Sequence, residues 1–591
     1  MKTFISSLLG GLVALILFLV LVPIVIGLGI GIMAATSGGG NKAPTDAIVL
    51  EIDLRDDFAD QPASSGPAVL FQTTSFIDIL GKLDAAIDDD RVKGVYIRAS
   101  EMGIGSSRAE ELREAFLKLR AADKFIVAHS QGMMGAGPST LRAISAADEI
   151  YLQPGSDIMV NGISLETLFF KDLFDNLSVK AEIEQFYEYK NSPNVYKETD
   201  YTEPHREAMT ALASDMWRIS LEDIAADRGF GSVSDLKNLL ESGPLSPDEA
   251  VAGNIFDGLK WPEDAAEDVL EQAGESAEFL PIAQYHPALA KPTAPLIAVI
   301  GGEGAIITGT GDQGLFSDES VMASDPIAEA ILKAGRDKNV EALVFRVDSP
   351  GGSPTASDQI WRAIERVQDE EGKPVVVSMG SVAASGGYYV SAGADAILAN
   401  RTTITGSIGV YGGKLAIADG LRRIGINPSA ITVGGEFASA FNTETFTEAQ
   451  RAELWESLKR TYDRFLEIVS EGRGLDTARV HEIAKGRVWS GEAAKQIGLV
   501  NETGGYIDAI AKAKELAGIE ADTKVRVKLY PTPENPFQAF SELFGASAES
   551  AEAAATLNQV LGDERFQTLL KESLALQKGG TQMSTPEIRE N

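Results

Sequence analysis

The chain repeats itself. Val92–Arg98 (VKGVYIR) is echoed by Val340–Arg346 (VEALVFR), 248 positions later. Ala146–Leu152 is echoed by Gly393–Ala399 at a spacing of 247, Tyr201–Glu207 by Phe446–Ala452 at 245, and Ala250–Asp257 by Ala494–Asn501 at 244. One such match arises by chance. Four in the same order, with a slowly drifting spacing, mark an internal duplication. The 591 residues also exceed what a single hydrophobic core accommodates. The fold must therefore be one design used twice.

Each copy alternates short apolar runs with helical patterns. Leu296–Ile300 and Ala342–Val347 read as strands, and Pro326–Lys333 and Ile360–Val367 as amphipathic helices. Pro374–Ser378 follows as another strand, and long helical stretches are expected near 203–240 and 447–486. Strands separated by helices of this length imply βαβ units and a largely parallel sheet. The copies are placed at 47–275 and 290–520, and 521–591 is expected to be a helical segment with a polar tail.

Residues 8–35 carry no charge. At about 1.5 Å per residue this run is long enough to cross a bilayer, and it exceeds the usual secretory core of about 7–15 residues. An uncleaved single-pass anchor is expected, with residues 1–7 in the cytoplasm, 36–46 as a flexible tether and the folded part outside. A net charge of -34 argues against a nucleic-acid partner. The chain has no cysteine, which excludes thiol catalysis and thiolate metal sites, and its four histidines are scattered. No metal or cofactor is expected.

Chemistry concentrates in the second copy. Met379–Tyr389 (MGSVAASGGYY) follows a buried-looking strand and places Ser385 among small residues just before a helix. A nucleophilic hydroxyl needs that setting: a tight turn, room for substrate, and backbone N–H groups left free at a helix start. Asp348–Ser353 (DSPGGS) ends the neighbouring strand. Its Gly351 and Gly352 let bare backbone approach a ligand, and their N–H groups, with that of Gly386, are candidate oxyanion donors. Either motif alone could be an ordinary turn. Two at successive strand ends point to a site.

Together, SPGGS, MGSVAASGGYY, Thr405–Gly409 (TGSIG) and the stretch from Gly486 (GRVWSG) to Gly498–Val500 resemble the signal peptide peptidase A (protease IV) family, in its double-length Gram-negative form. The resemblance implies tandem α/β domains like those of Clp protease and the crotonases, behind a transmembrane helix. It implies a Ser–Lys dyad in which Ser385 is the nucleophile and Ser407 orients the lysine. By position in the family's long form that lysine is Lys190, eleven residues before the helix start at Tyr201, with Lys197 as competitor. Asn191 and the run Ser192–Tyr196 depart from the family pattern around it. Further implications are apolar peptide substrates such as cleaved signal peptides, a homo-oligomer (a tetramer by the family's pattern), and the bacterial inner membrane with the catalytic part on the periplasmic side.

The duplication gives an independent argument. The first copy reads Ala-Gly-Pro at 136–138, where Ser385 would fall, and Glu-Met-Gly-Ile at 101–104 in place of the glycine loop. The second copy has Gly435 at the position of Lys190. Neither half is complete alone, so the site is expected where the copies meet. A free lysine, with a pKa near 10.4, is about one part in 2,500 neutral at pH 7, so the base must be buried and have no carboxylate beside it. Two other readings stay open from sequence: a crotonase-like acyl-CoA hydratase or isomerase, and a catalytically inactive membrane scaffold.

Overall fold

Aliphatic and β-branched residues dominate the short runs between turns, and these runs form the strands. In the first copy they are β1 (Ile48–Asp53), β2 (Val92–Arg98), β3 (Phe125–Ser130), β4 (Glu149–Leu152), β5 (Lys180–Phe186), β6 (Gly258–Leu259) and β7 (Glu278–Pro281). All but β5 build one sheet, ordered β6-β4-β3-β2-β1-β7, in which every neighbour is parallel. Parallel neighbours need crossovers, which helices supply. Those used below are α1 (Phe76–Ala86), α2 (Ser106–Ala121), α3 (Gly137–Ile144), α4 (Glu203–Asp227) and α5 (Pro262–Ala273). The structure is a computed structural model that describes residues 47–56, 58–62, 74–135, 137–288, 290–311 and 320–532. Residues 45–61 and 74–532 form one unit.

The second copy contains β8 (Leu296–Glu303), β9 (Ala305–Ile307), β10 (Val321–Ala323), β11 (Val340–Ser349), β12 (Val375–Ala384), β13 (Ala396–Ala399), β14 (Ile404–Gly406), β15 (Val410–Ala416), β16 (Val488–Ser490), β17 (Glu502–Thr503) and β18 (Arg526–Tyr530). Its sheet contains the path β17-β13-β12-β11-β8-β18, which repeats the order of the first sheet strand for strand. Helices α6 (Ser324–Arg336), α7 (Pro354–Arg366), α8 (Gly386–Ser391), α9 (Glu448–Arg473) and α10 (Tyr506–Leu516) complete the outline. The duplication is therefore visible in topology. The repeated Thr-Glu pairs also gain a reason: Thr202 and Thr447 are the N-caps of α4 and α9, each accepting a backbone N–H in the first turn.

Layers follow from the buried faces. One face of the first sheet packs on α5 through Val49, Tyr96, Val127, Ala265 and Val269. The other shares a core with α1, α2, α10 and the inner face of the second sheet, where Ile297, Val299, Val344 and Val376 lie. The outer face of the second sheet packs on α6, α7, α8 and α9. Helix α10 thus comes from the second copy but sits between both sheets, while its first-copy counterpart α5 lies outside.

Three sequence expectations need correction. The first copy extends past 275, because β7 at Glu278–Pro281 pairs with β1. The second extends past 520, because β18 at Arg526–Tyr530 pairs with β8, so the segment after 520 opens with a strand. The first copy also keeps the backbone of the glycine loop: Gly103 has φ 91° where Gly351 has φ 100°, and Gly105 and Ser353 are matching N-caps of α2 and α7. Residues 8–35, the tether to 46 and the tail from 533 lie outside the described residues. Among the described residues no helix is long and apolar enough to cross a membrane.

Beyond the shared core, polar contacts join the copies, and two of them frame the site. In the first, β5 pairs antiparallel with β15, from Val410 opposite Phe186 to Ala416 opposite Lys180. In the second, Arg346 on β11 is fully buried between Asp60 and Glu111 of the first copy, at 2.8 and 2.9 Å. Its first-copy equivalent Arg98 lies at the surface, 3.8 Å from Asp53. A buried ion pair costs desolvation to form, but removing one partner strands the others. Arg346→Ala is therefore expected to destabilise the protein by about 3–5 kcal/mol, and Arg98→Ala by less than about 1 kcal/mol. Denaturant melts of the two variants beside the parent check this.

Candidate active site

Ser385 stands between β12 and α8, as its strand–turn–helix setting requires. Strand β12 has ten residues against six in its counterpart β3. Its first half pairs with β13 and its end, Val382–Ala384, pairs with β14. That extension carries Ser385 clear of the sheet. The residue is held at φ 54°, ψ -117°, a region costly for any side chain, and is fixed by its N–H donating to the Gly406 carbonyl at 2.8 Å. Its side chain makes no cap bond to α8, which leaves Oγ available.

Lys190 lies four residues after β5, and Ser407 lies three before β15. The β5–β15 ribbon brings these two loops of different copies together. Lys190 Nζ is 3.0 Å from Ser385 Oγ, 2.9 Å from Ser407 Oγ and 3.0 Å from the Ser407 carbonyl oxygen. The three residues named from sequence therefore meet in one place. Lys197 does not join them: its Nζ donates to Gln185 Oε1 at 3.2 Å.

Burial sets the electrostatics. Lys190 is 3% exposed, and desolvation alone lowers its pKa to about 7, with no charged group contributing. Acids do lie nearby, beneath the glycine loop. Burial, together with Asp60 and Asp348, pushes Glu303 up to about 7. Asp348 is also raised, by burial and by Asp60. Neither acts on the amine.

The glycine loop is packed against Ser385. A Cβ on Gly351 would lie 2.6 Å from the Gly386 nitrogen, and one on Gly352 would lie 2.1 Å from the Ile306 carbonyl oxygen. Only glycine fits either place. The Gly351 N–H, expected as an oxyanion donor, is instead taken by Ser349 Oγ at 3.1 Å. Among the described residues the N–H groups of Gly352 and Gly386 have no partner. They are neighbours, since a Cβ on Gly386 would lie 3.0 Å from the Gly352 nitrogen.

Gly486 was legible only as part of a motif, without a role. Its φ is 86°, and a Cβ there would lie 2.4–2.5 Å from the backbone and Cβ of Lys190. Its neighbours tie both loops: Lys485 offers its carbonyl to the N–H groups of Tyr187 and Tyr189, and Arg487 offers its own to that of Ser407 at 2.7 Å. The segment is a clamp across the two copies. Spacing could not reveal this, because the contact joins residues nearly 300 positions apart.

Two stretches of the chain, 118–275 and 367–520, match peptidase family S49. Protease 4 of Haemophilus influenzae is 30% identical over 474 residues, covering 76% of this chain and 74% of that protein. The chloroplastic serine protease SPPA of Arabidopsis thaliana is 27% identical over 556 residues, covering 91% and 80%. A putative signal peptide peptidase SppA of Enterococcus faecium is 31% identical over 223 residues, covering 38% and 64%. The chain is a serine protease. It belongs to peptidase family S49, in a double-length form with one match in each copy. A hydratase, which the sequence alone left open, is thereby set aside.

Acylation of Ser385 by a fluorophosphonate is expected to rise with pH and to be half-maximal near 7, because the neutral amine accumulates above the pKa of Lys190. Glu303 titrates in the same range. Glu303→Gln should keep the midpoint; a midpoint that vanishes in this variant would reassign the titration to the carboxyl group.

Proposed function

We propose that Ser385 and Lys190 form a Ser–Lys dyad that hydrolyses peptides through an acyl-enzyme. The observation that carries this reading is the 3.0 Å contact between the Ser385 hydroxyl and a buried amine whose pKa desolvation lowers to about 7. A neutral amine has two N–H groups and one lone pair. Ser407 offers two acceptors, its Oγ and its carbonyl, which leaves the lone pair for the Ser385 O–H. Ser385 Oγ attacks the peptide carbonyl as its proton passes to Lys190 Nζ. The oxyanion is received by the N–H groups of Gly352 and Gly386, and the proton is returned to the leaving amine. Water, deprotonated by the same lysine, then releases the acyl group.

The substrate class follows from context. An uncharged run at 8–35 would tether the site to the bacterial inner membrane, with the catalytic part on the periplasmic side. Such a protease would meet apolar peptides left by export, cleaved signal peptides among them. The printed name of the Enterococcus faecium relative supports that choice.

A homo-oligomer, a tetramer by the family's pattern, completes the proposal, and the repeat supports it. The internal β5–β15 joint has a second, unused pair of halves. The second-copy counterpart of β5 lies near 425–431, and the first-copy counterpart of β15 near 163–170. Both are irregular and expose large apolar side chains: Leu165, Leu168, Ile424, Ile426 and Ile431. Joining these halves between neighbouring chains would repeat the internal joint around a ring. Ile426→Lys with Ile431→Lys should yield monomers by light scattering; an unchanged mass would remove this interface.

For the chemistry, Ser385→Ala and Lys190→Met should each lower peptide cleavage by at least about 10³-fold with the melting transition retained, whereas Lys197→Ala should stay within about twofold. Mass spectrometry of fluorophosphonate-treated protein should find the label on Ser385. Cleavage surviving Lys190→Met would end the dyad assignment.

A further inference from the structure

The carboxyl end of the first sheet holds a cavity of about 460 Å³ whose lining includes Leu54, Arg55, Phe58, Phe76, Met102 and Arg108. Shifted by the repeat spacing of 248, its two loops, 54–58 and 100–105, are the counterparts of 302–306 and 348–353 beside Ser385. The cavity is thus the first copy's version of the oxyanion cleft. Its loop backbone is retained at Gly103, and Ile104, at the place of Gly352, has an N–H with no partner among the described residues.

What differs is a guanidinium. Arg108 occupies the position of Ala356 in the second copy. One of its terminal nitrogens donates to the Phe58 carbonyl at 2.7 Å, and the group lies 5.5 Å over the Phe76 ring. Its Nε is buried without a partner, and it has no ion pair among the described residues. Arg55, by contrast, is neutralised by Asp53. The carboxyl groups of buried Asp60 and half-buried Glu303 and Asp348 feel Arg108 only at a distance, with no ion pair to it. In a chain of net charge -34, a half-buried arginine without a carboxylate is unusual. Helix α2, sixteen residues long, also opens here without a side-chain cap. The walls mix Arg55, Asp56 and Ser100 with apolar side chains, among them Leu54, Phe58, Phe76 and Met102, and Met102 is 84% exposed, an adaptable surface for apolar side chains.

We propose that this cleft is a second peptide-binding site, which holds the free α-carboxylate and the last apolar residues of the peptide being cut at Ser385. The inference rests on the peptidase reading above. A cleft shaped for a transient oxyanion has kept a backbone donor at Ile104 and gained a permanent cation where the second copy has Ala356, which suits a permanent anion. The reach is short. A Cβ on Gly105 would lie 3.2 Å from Ser381 Oγ, and Ser381 precedes Ser385 by four residues on β12 and its end, or about 13 Å of extended chain. Ser381 and Val382 are partly exposed whereas the rest of β12 is buried, and the proposed peptide runs over these two residues. A peptide with roughly five residues beyond the cut would place its carboxylate at Arg108.

Two internally quenched peptides test this, alike in their apolar sequence with five residues after the cut, one ending in a carboxylate and the other in a carboxamide. The full-length protein should show a KM about tenfold lower for the carboxylate form, the scale of one charge-assisted contact. Arg108→Met should raise that KM to the carboxamide value without changing kcat or the carboxamide KM, and Arg108→Lys should restore part of the preference. Anisotropy of the labelled carboxylate peptide on Ser385→Ala should report the same difference without catalysis. Equal affinities for the two peptides, or a preference that survives Arg108→Met, would overturn the proposal. Failure to cut either peptide would count against the peptidase reading alone, since the anisotropy still decides the site.

Discussion

The fold is organised around one desolvated amine. Lys190 has no carboxylate to stabilise its ammonium form, and the protein supplies only dipoles: two oxygens of Ser407 and the hydroxyl of Ser385. An amine in that state must be enclosed on every side by elements that carry no charge to it. The enclosure comes from both copies: the β5–β15 ribbon brings the Lys190 and Ser407 loops together, and Gly486 of the Lys485–Arg487 turn packs on the Lys190 backbone. The acids of this strongly negative chain are kept elsewhere. They are gathered in buried clusters with arginines, such as Arg346 with Asp60 and Glu111, or pushed toward their protonated forms beneath the glycine loop.

Much of this was legible in the sequence because it depended on local pattern. Apolar runs of five or six residues between helical stretches gave β8, β11 and β12, and the repeat gave a second sheet of the same order. Ser385 stood out because small neighbours and a turn, the setting that a nucleophilic hydroxyl requires, leave a compositional trace. Lys190 left none. A lone lysine looks like any surface lysine, and only a family resemblance with the duplication argument singled it out.

What stayed hidden depended on tertiary contact. Whether a glycine N–H is free cannot be read from a motif, and Ser349 decides it for Gly351. The strands β7 and β18 fell outside the expected boundaries because each adds to the edge of a sheet laid down much earlier in the chain. The retained loop in the first copy was invisible because Glu-Met-Gly-Ile shares only one glycine with Pro-Gly-Gly; the φ of Gly103 preserves what the side chains do not.

The tether between the copies has a consequence of its own. Residues 282–295 join β7 to β8, so the amine donor and the hydroxyl donor are never more than one short connection apart. Two halves that would otherwise have to find each other by diffusion are kept at a high effective concentration, whatever the abundance of the protein. Fusion of this kind also frees each half to lose what the other provides. A homodimeric ancestor would need every loop in both places, whereas a covalent pair can let one cleft keep the chemistry and the other drift toward recognition.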